Sequence, residues 1–335
     1  MSDRSFLGLV ISLLPGLKPV DRIKLLEVFD HEEDFIVQFR SDIEGILKHG
    51  LKQFWDIDEI CARAGQIDAI CRKRSIEWVS WKDKDYPPLL REMYDPPSVI
   101  FYRGQLPNPA KPLIGMVGTR KPSPEASAQA FLIACGAGQA GVSVVSGLAL
   151  GIDAMSHRGN LAGGAPGYAV LGSGADEIYP VTNRPLAKRI LDSGGAIISE
   201  YPPATRPYKG NFPARNRIIS ALSRGVLIVE APQKSGALHT AYFALDQGRD
   251  LWVASSGLQQ HGALYDKRGT VKLAVDGAEI IYAADDILDR WNIEIADNGD
   301  YKIPSGNAGK REMLTSERLP GELAASMANY LEIEL

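Results

Sequence analysis

From residue 113 onward the chain alternates short apolar runs with longer segments of helical periodicity. No other feature restricts the fold as much. The apolar runs are LIGMVG (113–118), VSVVSG (142–147), GYAVLGSG (167–174), AIISEYP (196–202), GVLIVEA (225–231) and DLWVASSG (250–257). Between them lie SPEASAQAFLIACGAGQAG (123–141), DAMSHRGNLAGG (153–164), NRPLAKRILDSGG (183–195), ARNRIISALS (214–223) and SGALHTAYFALDQGR (235–249). Strands with no polar alternation are buried on both faces. Strictly alternating strands and helices form a parallel sheet wrapped by helices on both sides. The expected fold class is α/β, with an extended Rossmann-like, doubly wound, mostly parallel sheet over residues 113–290. Ser123 fits an N-cap, Pro124 the first helical position and Gly141 the helix end.

The flanks read differently. Residues 1–80 carry apolar residues at helical spacing in DRIKLLEVFD, DFIVQFRSDIEGIL and DIDEICARAGQIDAICRKR, with Asp21 and Asp56 as helix-start residues. They predict a small all-helical domain of the SAM or helix-hairpin kind. FLGLVISLL (6–14) is too short to span a bilayer and lacks a cleavage site, so it reads as a buried helix. Residues 81–112 are rich in proline and turn residues and read as a linker, with a short helical piece at LLREMY. Residues 291–335 turn polar and read as a tail that could close with one short helix at ELAASMANYLEIEL. Cys61, Cys71 and Cys135 show neither disulfide nor zinc spacing, which suits a reducing cytoplasm.

In open α/β sheets ligands bind beyond the carboxyl ends of the strands. The candidate phosphate loops there contain Gly118, Thr119, Ser146, Gly147, Gly172, Gly174, Ser235 and Gly236. GSGADEI lacks the third glycine of a dinucleotide fingerprint, and GTRKPS lacks P-loop spacing, so no cofactor is expected. Asp153 and His157 lie one helical turn apart, which reads as a surface or capping pair rather than a metal site. Glu200 and Glu230 both end strands and offer a paired-carboxylate reading, but Glu200 equally suits an ion pair with Arg215 or Arg217. No serine sits in a nucleophile elbow. No constellation compels an enzyme.

Charge points elsewhere. The chain holds 41 Asp and Glu against 37 Lys and Arg. Yet residues 201–229 contain no carboxylate, while Arg206, Lys209, Arg215, Arg217 and Arg224 fall within them. Cations bind phosphate, and Phe212 or Tyr208 offers a face for an unpaired base. Asn216 can position the loop or read a base edge. The same residues equally suit a core phenylalanine with structural ion pairs, or a small phosphorylated ligand.

The motifs SGLALGID, LGSGADEIYP, SEYPP, NFPARNRIIS, VEA, SGALHTA and DGAEII, in this order, resemble the DprA/Smf family of DNA-processing proteins. DYPPLL, DPPSVIFYRG and GTR upstream match as well, so the resemblance runs from Asp85 to Leu288. It implies a non-enzymatic, dimeric, single-stranded DNA-binding protein that protects incoming strands and helps load a RecA-type recombinase. It also implies DNA contacts at Arg120, Lys121, Lys209, Phe212, Arg215, Asn216 and Arg217. The departures are Leu150 in place of a frequent arginine, Ser256 in place of a frequent proline and Val271 in place of a frequent asparagine. The last 45 or so residues do not resemble a winged helix. The competing reading is a nucleotide-hydrolysing protein related to phosphoribohydrolases. Their PGGxGT loop is replaced here by KSGALHTA.

Overall fold

The apolar runs pair into one sheet in the computed structural model, which describes residues 6–258 and 264–293. Among these residues the strands are β1 (Glu77–Ser80), β2 (Val99–Gly104), β3 (Leu113–Val117), β4 (Ser143–Ser146), β5 (Tyr168–Leu171), β6 (Ala196–Ser199), β7 (Gly225–Ile228), β8 (Asp250–Ala254) and β9 (Glu279–Ile281). Their spatial order is β1-β2-β6-β5-β4-β3-β7-β8-β9. Pairing is parallel from β6 through β9, and antiparallel where β2 joins β1 and β6. All five residues of β3 are buried, as a central strand requires.

The chain builds outward from β3 to β6, then returns to the other side of β3 with β7. That reversal makes the β3/β7 boundary a topological switch point, where such sheets leave a crevice for ligands. The helix Asn211–Leu222 makes the return and packs across β3, β4 and β5. Helices Gly236–Asp246 and Asn211–Leu222 cover one face of the sheet. Helices Pro124–Gln139 and Ala284–Trp291 cover the other. Ser123 caps the helix it precedes, its Oγ accepting from the Ala126 amide at 3.2 Å.

The N-terminal helices are Phe6–Ser12, Pro19–Val28, Glu32–Ile36, Arg40–Leu47 and Ile57–Lys73. Asp56 caps the last of them through the Glu59 amide, and Asp21 accepts from the Lys18 amide. One hydrophobic core runs from Leu7, Leu9 and Leu25 through Ile67 and Trp78 to Phe101, Leu171 and Ile197. The helical module therefore lies on the antiparallel end of the sheet and shares its core.

The segment 81–112, expected as a linker, is part of the folded domain instead. It carries the short helix Pro88–Arg91 and strand β2, which pairs Phe101 with Ser199 of β6. Tyr86 is fully buried, and its hydroxyl donates to the Pro97 carbonyl at 2.7 Å. The prolines stand outside the strand, where a missing N–H costs nothing, and SVIFY supplies the β-branched and aromatic residues that pair. At the other boundary Trp291, assigned to the tail from composition, belongs to the core. It lies 5.4 Å from Trp252, and its Nε1 donates to Asp250. Residues 294–335, including ELAASMANYLEIEL, lie outside the described residues. No described helix is long and apolar enough to cross a membrane.

Candidate functional site

The return helix starts at Asn211, three residues earlier than the periodicity of ARNRIISALS indicates. Phe212 thus sits in its first turn, above the carboxyl ends of the strands. The Asn211 side-chain amide donates to the Gly172 carbonyl at 3.0 Å and pins that turn to the loop after β5. A Cβ on Gly172 would lie 3.0 Å from Phe212 Cδ1, so glycine lets the ring approach the loop backbone. The half-buried Phe212 ring has Tyr179 at 5.8 Å, tilted by 39°. The Arg120 guanidinium, projecting from the loop after β3, stands 5.8 Å from the same ring. Arg120, Lys121, Tyr208 and Lys209 are all exposed. The helix N-terminus beneath them carries a partial positive charge. Cations, an aromatic face and that helix end converge on one open surface.

Arg215 and Arg217, expected among the ligand contacts, are buried, and Asn216 is half-buried. Arg215 is buried and donates to the Gly147 carbonyl at 2.9 Å, to the Val170 carbonyl and to Asn216 Oδ1 at 3.0 Å. It ties the end of β4 to β5 and to the helix itself. A Cβ on Gly147 would come within 2.3 Å of Arg215 Nη2, so only glycine admits the guanidinium. Asp153, also buried, accepts from the amides of Gly147 and Ala149 at 3.1 and 3.3 Å. Burial holds the Asp153 carboxyl above its usual range, against the opposing pull of Arg215. Burial likewise lowers Arg215 to about 10, Asp153 partly offsetting it and Arg120 adding to it. His157 is fully buried and has no hydrogen-bond partner on either ring nitrogen. Burial first, and the Arg215 charge second, bring it down to about 3. Asp153 and His157 are therefore core residues, which corrects their reading as a surface or capping pair. Asp153 anchors the SGLALGID loop from inside.

Arg217 is buried against two carboxylates, donating to Glu200 at 2.7 Å and Asp95 at 3.1 Å. Asn216 donates to the Gly236 carbonyl at 3.1 Å, joining the return helix to the next one. Ser235 caps that next helix through the Ala237 amide. Ser146 donates to the Met116 carbonyl at 2.6 Å and is wholly internal. Gly118 lies against Ile152 and the Glu230 carbonyl, and Gly174 against Asp176 and Pro202. Thr119 donates its amide to the Glu230 carbonyl at 2.7 Å, bridging the loops after β3 and β7. Glu230 is buried with Lys267 at 3.3 Å and accepts from the Ser123 hydroxyl at 2.6 Å. The two strand-end glutamates thus spend their charge on internal cations and are not a free carboxylate pair. Of the residues expected to meet a ligand, Arg120, Lys121, Lys209 and Phe212 reach the open surface. Tyr179 joins them; it lies in the LGSGADEIYP motif but is not among the residues expected to meet a ligand. Of the family departures, Leu150 is exposed and Ser256 is buried.

A doubly wound α/β sheet with an aromatic and cationic surface above the carboxyl ends of its strands defines the class. The family model described as DNA recombination-mediator protein A matches residues 77–292. The chain belongs to this family, the DprA or Smf proteins of DNA processing. Protein Smf of Synechocystis is 41% identical over 242 residues, covering 70% of this chain and 60% of that protein. The match thus spans less than two thirds of that relative's length. DNA processing protein DprA of Bacillus subtilis is 37% identical over 237 residues, covering 70% of this chain and 77% of the relative. The crystal structure of the Streptococcus pneumoniae protein superposes with a TM-score of 0.67 at 31% identity, over 86% of this chain and 98% of that one. The Helicobacter pylori protein, whose structure is described for its single-stranded DNA binding mode, superposes with a TM-score of 0.55 at 27% identity. That match covers 64% of this chain and 96% of the other.

Proposed function

We propose that this chain binds single-stranded DNA in the pocket at Phe212, protects the strand and promotes loading of a RecA-type recombinase, as natural transformation and DNA recombination require. The observation that carries this reading is the exposed Arg120 guanidinium set beside the accessible Phe212 ring, with Lys121 and Lys209 exposed around them. Phosphates meet Arg120, Lys121, Lys209 and the helix N-terminus. A base stacks on Phe212, flanked by Tyr179, at roughly 1–3 kcal/mol per base. Duplex bases are already stacked and offer no free face, so single strands are preferred. Arg215, Asn216 and Arg217 act as positioning residues that hold the helix and its loops. The Helicobacter pylori relative supports the same class of ligand on this fold.

The active species is a cytoplasmic homodimer. Among the described residues no strand pairs with the outer edge of β9, and Val275, Ile280 and Tyr282 are exposed beside it, a natural surface for a second copy. Nucleotide hydrolysis is disfavoured because Glu200 and Glu230 are engaged by Arg217 and Lys267.

The test is fluorescence anisotropy of labelled oligo-dT at two salt concentrations, with duplex DNA and ATP as competitors. Salt-sensitive binding that neither competitor displaces is expected. Displacement by ATP, or no binding, overturns the reading in favour of a nucleotide or partner-protein site.

A further inference from the structure

A second cationic concavity lies against the loop that carries Tyr179. It is a groove of about 270 Å³ between the helix Arg184–Asp192 and strand β2, lined by Arg103, Asp176, Ile178, Arg184, Lys188 and Leu191. Its cations come from segments far apart in sequence. Arg103 lies on β2, the strand hidden in the proline-rich stretch, while Arg184 and Lys188 lie one turn apart on the helix. Among the described residues no ion pair engages Arg103 or Arg184. Lys188 meets only Asp192, in an exposed pair of little strength. The single acid in the groove, Asp176, is already answered. Arg74 pairs with it, and the Ala204 amide donates to it at 3.0 Å. Arg74 in turn ends the basic run Arg72-Lys73-Arg74 at the close of the long N-terminal helix. Three positive charges therefore face one neutralised carboxylate in a concave, partly apolar trough.

One loop joins the trough to the Phe212 surface. Ile178 lines the trough, and the next residue, Tyr179, lies against Phe212. Asp176 holds the segment 201–210, which carries Lys209, through Ala204. A strand that stacks a base at Phe212 and runs on along this loop meets the arginines of the trough. Free arginines beside an apolar floor suit phosphodiesters, which take arginine in a bidentate manner.

We propose that this groove is a second phosphate-binding subsite, in which the sugar–phosphate backbone of the strand held at Phe212 continues past Arg184, Lys188 and Arg103. The proposal rests on the single-strand reading of the Phe212 pocket. It makes the N-terminal helical module one bank of the DNA track, through Arg74, and sets a minimum length for full affinity.

The experiment compares wild type with the double variant Arg103→Glu/Arg184→Glu on oligo-dT of about 6 and about 20 nucleotides, the first near the short end of the range of single-strand site sizes and the second beyond it. The longer strand is expected to bind the variant about tenfold or more weakly, with the salt slope reduced by about 1.4, near 0.7 for each phosphate no longer neutralised. The short strand is expected to bind both proteins alike. Equal affinity for the long strand, or equal losses at both lengths, overturns the subsite while leaving the Phe212 pocket intact. Absence of binding by wild type overturns the pocket reading and the groove with it. The single variant Arg184→Gln, at an exposed position, gives the same comparison if the double variant does not fold.

Discussion

Replacing Arg215 by Met tests whether the arginine-asparagine-arginine motif holds the site or touches the ligand. Methionine fills much of the same space and removes the guanidinium. Two buried carbonyls, those of Gly147 and Val170, then lose their donor. Each unsatisfied group costs roughly 1–3 kcal/mol. Asp153, wholly buried, also loses the charge that offsets its own. These losses overlap, so about 3–5 kcal/mol is taken for the whole change. At roughly 2 °C per kcal/mol for a large domain, the melting midpoint falls by about 6–10 °C. The penalty depends on pH with a definite sign. Asp153 is already raised by burial, and losing Arg215 raises it further. A carboxyl with a raised folded pKa contributes its stability below the unfolded value, about 3.9, and loses it as pH rises through the folded value. The variant is therefore nearest to wild type close to pH 4 and furthest from it at neutrality. Asp153→Asn in the same background recovers part of the loss, because it removes the uncompensated charge. Circular dichroism melts of the three proteins across this range measure all of these effects. A midpoint within about 2 °C of wild type, or a penalty independent of pH, refutes the keystone role of Arg215.

Other changes separate the structural residues from the binding ones. His157, at about 3 against its usual 6.5, contributes stability above the higher value and loses it as pH falls toward the lower. Denaturant midpoints of His157→Leu are expected to fall less steeply on acidification, since wild type loses up to ~1.4 kcal/mol per pH unit from this group; an unchanged slope contradicts the assignment. Phe212→Ala is expected to weaken oligo-dT binding by about 5- to 150-fold, the loss of one stacked base, in anisotropy, with a melting midpoint near that of wild type. Lys267→Met leaves Glu230 buried and unpaired, so unfolding measurements are expected to show a loss of about 3–5 kcal/mol.

The parallel sheet was legible because each of its central strands is a run without polar alternation, bounded by glycine. Strand β2 was not, because Pro96, Pro97 and Pro107 around it signal a linker while the pairing that makes it a strand lies nearly a hundred residues away in β6. The site was half legible. A charge count shows that residues 201–229 are basic, and the motifs single out Arg120, Lys209 and Phe212. It cannot show that Arg215 and Arg217 turn inward. Their partners, the Val170 carbonyl, Asp95 and Glu200, come from other strands and loops. Burial of an arginine is a property of the packed return helix, and local composition does not carry it. Tyr179 escaped notice for the same reason, since only the folded loop sets it against Phe212.

The most direct test of single-strand binding at this surface is the affinity of Arg120→Glu/Lys209→Glu for labelled oligo-dT, measured beside a melting curve. Both side chains are exposed, so reversing their charge leaves the core untouched. The expected result is a wild-type melting midpoint with binding weakened by about a hundredfold or more, near 2.8 kcal/mol, and a salt slope lower by about 1.4. Wild-type affinity in a protein that melts normally would contradict the assignment of the pocket.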